Sequence, residues 1–165
     1  MQMEKQYEKL AHFGKELLDK TSLEEGLPLI SDYAKEVIGA ERCSIFIYNT
    51  ENNTLWTTLA DEVDKITISA YQGVAGYTIK EKKTLVVNDV KEYPLFLADI
   101  DEETGYVTKN IITAPVFNSQ REIIGVLELL NKEGDFTAKD EGFMVFFSHY
   151  ISGYIELATL YQAKG

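Results

Sequence analysis

Two stretches of this chain carry residues whose types and spacing could do chemistry. Residues 131–141 gather Asn131, Lys132, Phe136, Asp140 and Glu141 where a long apolar strand at 123–130 gives way to a final helix. Lys132 and Asp140 can form a salt bridge from strand end to helix start. Phe136 would fill the core beneath, and Asn131 and Glu141 would satisfy nearby backbone groups. This clamping role is preferred over direct ligand contact, and losing one partner of such a pair would cost about 3–5 kcal/mol. The second stretch is Gly73-Val74-Ala75-Gly76, which leads into a short helix. Its free N–H groups and helix dipole would attract an anion; a plain tight turn is an equal reading.

Other candidates are weaker. Cys43 is the only cysteine, in an apolar strand with no basic activator nearby, and is expected to be a small buried hydrophobe. His12 and His149 are distant in sequence and with one cysteine form no zinc or catalytic constellation. No nucleophile–base pair or carboxylate dyad can be defended, so no catalysis is expected.

The elements that must position these residues follow from periodicity. Residues 4–19 place Tyr7, Leu10, Ala11, Leu17 and Leu18 on one helical stripe. Ser22, three before Glu25, offers a capping box for a second helix that ends at Gly39. Pro28 is awkward there unless it lies near the first turn or kinks the helix. From Cys43 the period becomes two: strands at 43–48 and 54–59 flank a turn at 49–53, with another at 65–70. A short helix from Gly73 and a strand at 84–87 follow. Residues 89–109 are long, acidic and aperiodic, as functional or mobile loops often are. A hairpin at 110–117 and 122–130 precedes a closing helix through Phe143, Phe147, Tyr150, Ile151, Tyr154, Ala158 and Tyr161. Hairpin-linked strands with helices at both ends and one in the middle predict an α+β domain. It would be a central antiparallel sheet of about six strands, helices on one face and ligand-pocket loops on the other.

Composition excludes several partners. Acidic residues outnumber basic ones 27 to 16, a net charge of −11. Duplex nucleic acid and anionic membrane surfaces would be repelled. No apolar run approaches the ~20 residues that span a bilayer, and the polar start has no secretory core. A lone cysteine fits a reducing compartment. The expectation is a cytoplasmic domain.

Asn131, Lys132, Phe136, Asp140 and Glu141 at this spacing resemble the signature of GAF domains, a ligand-sensing family of GAF/PAS-like fold. Residues 40–46, the Gly73–Gly76 turn, Pro94-Leu95-Phe96 and residues 104–111 strengthen the likeness over roughly 20–160. It is most similar to the GAF domains of cyclic nucleotide phosphodiesterases and bacterial adenylyl cyclases. The resemblance implies that Ser44 and Asp61 contact a base, with Val74, Ala75, Asp101, Thr104, Thr108 and Glu128 completing the pocket. Two positions depart from the pattern: Ala60 replaces a stacking aromatic, worth ~1–3 kcal/mol by nucleic-acid precedent, and Lys91 replaces a lid tyrosine. Thr104 and Thr108 can donate hydroxyls, while Asp61 or Glu128 can accept from a base or ribose; Glu128 is equally a solvated or paired acid.

The implied function is a regulatory sensor module of a larger signalling protein. A small molecule, first a cyclic nucleotide (cAMP or cGMP), would close residues 89–109 and shift the last helix towards an output domain. The N-terminal helix, 1–20, would signal or dimerise, and 21–165 would be the sensor, forming a homodimer through the terminal helices. The alternative is a dimerisation and scaffolding module that binds nothing. Haem on His149 is discounted against a packed or solvated histidine. The reductases of this likeness need several cysteines, and the bilin-binding relatives an attachment cysteine in a loop.

Overall fold

The structure is a computed structural model that describes residues 2–57, 66–71, 73–92 and 107–164. Helices α1 (Gln2–Leu18) and α2 (Leu23–Ile38) lead into strand β1 (Ala40–Asn49), followed by β2 (Thr54–Thr57) and β3 (Ile66–Ser69). Helix α3 (Gly73–Glu81), strand β4 (Leu85–Val87) and a 3₁₀ turn at Val90–Glu92 come next. The hairpin β5 (Ile111–Phe117) and β6 (Ile123–Lys132) then feeds the long helix α4 (Ala138–Lys164). The strands form one sheet in the order β3-β2-β1-β6-β5-β4, every neighbouring pair antiparallel. The α+β architecture read from the sequence is the one observed.

Local chemistry sets the boundaries. Ser22 Oγ accepts from Glu25 N at 3.3 Å, capping α2. Gly39 ends the helix in the left-handed region, at φ 81°, and its N–H donates to Lys35 O. Because Gly39 reverses the chain at once, β1 begins at Ala40, paired with Lys132, three residues before the expected start. Pro28 lies inside α2 rather than at its first turn.

Alternation along β1 divides the molecule into two layers. Cys43, Ile45 and Ile47 face the helices, where Leu27 and Ile30 of α2, Phe147, Ile151 and Ile155 of α4 and Phe13 of α1 complete the main core. On the opposite, loop-side face, Phe46, Leu55 and Val126 pack against Ala70 and Ala75. Val74 of α3 joins Val87, Val90 and Ile111 in a third cluster on that side. The expected arrangement thus holds, with α3 lying on the loop side.

Candidate functional site

Ser44, Val74, Ala75 and Glu128, four of the residues singled out in the sequence, lie on the loop-side face. Ser44 of β1 pairs with Glu128 of β6, and Glu128 pairs in turn with Thr113 of β5. Thr113 and Thr78 of α3 share a hydroxyl contact of 2.5 Å. Thr78 Oγ1 also donates to Val74 O at 2.8 Å, so Thr113 must be the donor of the pair. These bonds fix α3 across the sheet beside Glu128. Glu128 is partly exposed, and desolvation pushes its carboxyl up to about 7.

The Gly73–Gly76 turn has a steric explanation. Gly73 takes φ +71°, a region that costs other residues. A Cβ on Gly76 would come within 2.8 Å of Tyr71 C and 2.9 Å of Ala70 O, so the backbone there leaves room only for glycine. Val74 and Ala75 bury their side chains, at 4% and 3% exposure, leaving only backbone N–H groups to meet a ligand. Thr108 is buried where residues 107–110 enter β5. Lys91 is exposed in the 3₁₀ turn. Ala60, Asp61, Pro94, Leu95, Phe96, Asp101 and Thr104 lie outside the described residues.

The 131–141 motif begins at the end of β6, three residues beyond Glu128, and forms a junction with α4. Lys132 Nζ bonds Asp140 Oδ2 at 2.5 Å, the two side chains 23% and 11% exposed. The same carboxylate accepts from Thr137 N at 2.8 Å, while Asp140 N donates to Thr137 Oγ1, a reciprocal cap on α4. Burial alone would raise the Asp140 carboxyl, but the Lys132 bond and the Thr137 amide outweigh it and hold it below its ordinary value. Phe136 is buried in the main core. Asn131 Oδ1 accepts from Lys109 N at 2.6 Å, and its Nδ2 donates to Val107 O at 2.7 Å. Glu141 departs from expectation: it is exposed in the first turn of α4, with no side-chain hydrogen bond among the described residues, because Asp140 already caps the helix.

Three residues of consequence escaped the sequence reading. Asn110 and Asn88 each clasp a backbone segment at two points: Asn88 Oδ1 accepts from Phe136 N, and its Nδ2 donates to Phe136 O. With Lys109, Asn131 and Lys132 they border a cavity of about 530 Å³ at this end of the sheet, away from Ser44 and Glu128. Asparagines beside strand ends were the available signal. Thr57 is the third. It is 1% exposed, and its hydroxyl has no hydrogen-bond partner among the described residues. A threonine at an inward-facing strand position was its only trace.

The thiol and imidazoles sit apart from both regions. Cys43 faces the main core, where burial pushes its thiol up to about 12 despite a hydrogen bond with Ser31. His12 is exposed and pairs with Glu16 on α1, and His149 is exposed on α4. No cluster of three metal-ligating side chains occurs among the described residues. No helix among them is long and apolar enough to cross a membrane.

Comparison with known proteins agrees with this architecture. The pattern of the GAF domain family matches residues 22–155. The chain is 28% identical to the probable 3',5'-cyclic phosphodiesterase pde-5 of Caenorhabditis elegans over 87% of its own length, and spans 22% of that relative. Its fold is similar to the GAF domain of an Acinetobacter phosphoenolpyruvate-protein phosphotransferase. There the TM-score is 0.79 at 18% identity, covering 96% of this chain and 97% of the other. It is also similar to the free methionine-R-sulfoxide reductase of Neisseria meningitidis, at TM-score 0.75 and 20% identity, covering 92% and 88%. With 134 consecutive residues inside the family match (22 to 155), the chain belongs to the GAF domain family.

Proposed function

We propose that the chain is the sensor domain of a larger signalling protein, binding a small molecule on the loop side of its sheet, with a cyclic nucleotide the first candidate. The observation that carries this reading is the pairing of Ser44 with Glu128 on a largely apolar face beside the first turn of α3. A desolvated carboxyl flanked by hydroxyls is costly to the fold and useful to a ligand that can hydrogen-bond it. The phosphodiesterase relative supports a cyclic nucleotide as the first compound to test. Asp61, Asp101, Thr104 and Thr108 would complete the pocket.

The signal would leave through the motif. Asn131 holds the backbone at Val107 and Lys109, and its neighbour Lys132 holds the cap of α4. A ligand that changes the 107–110 backbone therefore acts on α4 through two consecutive residues. Output would pass to a covalently linked domain, with α1 and α4 pairing against a second copy. The domain itself is regulatory in this reading, because Cys43, its one thiol, is buried on the helix side and held protonated. The experiment is isothermal titration calorimetry with cAMP and cGMP. A saturable heat with either supports the sensor; flat titrations, with no small molecule released on denaturation, leave a scaffold.

A further inference from the structure

Thr57 Oγ1 differs from every other buried side-chain polar atom among the described residues in having no hydrogen-bond partner. Native interiors satisfy such groups, so one left alone calls for a reason. Valine would fill the same volume without the desolvation penalty.

The sheet register shows what the hydroxyl faces. Along β2, Leu55 joins the loop-side cluster and Trp56 packs on the helix side, so alternation sends Thr57 to the loop side. Ile47 pairs with Trp56, and continuing that register sets Phe46 across from Thr57. Ser44 lies two residues further along β1 on the same face, with Glu128 across from it on β6. Thr57 and Glu128 therefore stand on either side of β1, their strands about 10 Å apart by the usual spacing. Apolar Phe46 of β1 lies on the diagonal between them, with Val126 beside it on β6, in the cluster that also holds Ala70 and Ala75. A flat fused-ring molecule with hydrogen-bonding groups at both ends fits that pattern: polar, apolar, polar.

We infer that Thr57 is a ligand-contacting residue of the loop-side pocket. Its hydroxyl hydrogen-bonds the edge of a bound planar heterocycle opposite the edge met by Ser44 and Glu128. The inference rests on the sensor reading above and adds to it a second, separate point of recognition. A ligand at this position would give the Thr57 hydroxyl a hydrogen-bond partner.

The test uses the full chain carrying Thr57→Val, with Thr57→Ser as the variant that keeps the hydroxyl. Both are titrated with cAMP and cGMP and melted without ligand. Thr57→Val should melt a few degrees above the parent, since it removes an unsatisfied buried group. It should bind the nucleotide about tenfold more weakly or worse, while Thr57→Ser stays close to the parent in affinity. Opposite movements of stability and affinity separate a ligand contact from a packing role. Parent-like affinity in Thr57→Val overturns the role of Thr57 and leaves the sensor reading standing. A parent chain that binds neither nucleotide and releases no small molecule on denaturation overturns both.

Discussion

Asn110 and Asn131 each use a side-chain amide to complete the other strand's backbone. Asn131 N donates to Asn110 O at 3.0 Å, and Asn131 Oδ1 accepts from Lys109 N at 2.6 Å. In return Asn110 Oδ1 accepts from Lys132 N at 2.9 Å, and its Nδ2 donates to Lys132 O and Gly134 O. Asn131 also takes φ 60°, a left-handed conformation that asparagine adopts more readily than most residues. The reciprocal clasp lets β5 begin and β6 end without leaving buried amides unpaired.

Asn131→Ala should therefore destabilise the domain on two counts, backbone strain and the loss of partners for the Val107 carbonyl and the Lys109 N–H. Urea unfolding should show a loss of about 2–4 kcal/mol. Asn110→Ala should lose a similar amount, and the double variant less than the sum, because the two share one network. Additive losses would mean that the amides act independently.

Much of this was legible in the sequence. Period-two alternation from Cys43, the Ser22 cap, the Gly39 stop and the Lys132–Asp140 spacing each state a local preference that packing did not override. The asparagine clasp was not legible, since Asn88, Asn110 and Asn131 lie dozens of residues apart and only sheet register brings them together. Thr57 was hidden for a related reason: an inward threonine in a strand looks like ordinary β-propensity until its hydroxyl is found without a partner. The proposed ligand positions Ser44 and Glu128 came from the family likeness, and register then made them neighbours.

Lys132→Ala should lower the denaturation midpoint while leaving ligand affinity nearly unchanged. It leaves the Asp140 carboxylate, 11% exposed, with only its helix-capping bonds. A loss of about 2–3 kcal/mol is expected, below the full value for a buried pair because Lys132 is partly exposed. Asp140 also sets an acid limb. Its folded pKa lies below the ordinary 3.8, so its contribution is full above that value and disappears as pH falls through the folded one. Asp140→Asn should be less stable at pH 7 and should flatten the stability profile below pH 4. An unchanged midpoint with abolished binding would move Lys132 from the fold to the ligand.

Glu128 predicts the opposite slope. Desolvation raises its carboxyl from 4.5 to about 7, so between these values the folded chain binds more protons than the unfolded one. Its contribution to stability is highest below pH 4.5, falls as pH rises towards 7, and is level above. Partial exposure trims the effect to roughly 1–2 kcal/mol. Glu128→Gln should remove this slope and melt higher than the parent at pH 8 without ligand. A parent profile with no difference from Glu128→Gln between pH 5 and 8 would show that water reaches the carboxyl freely.

The outer face of α4 is also apolar. Phe147, Ile151 and Ile155 fill the core, yet Phe146, Tyr150, Leu157 and Leu160 are 51%, 39%, 70% and 55% exposed. Their spacings of four, seven and three residues are those of a coiled-coil seam. Tyr7 and Leu18 of α1 are also exposed, and Tyr150 Oη donates to Leu10 O, so α1 lies alongside this stripe. A helix apolar on both faces has a second surface to cover. Sedimentation at tens of micromolar should give a dimer for the parent chain. Leu157→Glu should give a monomer with unchanged circular dichroism, because the site is exposed and its substitution leaves the core intact. A parent chain that sediments as a monomer at these concentrations would point instead to the linked output domain proposed above as the cover of the stripe.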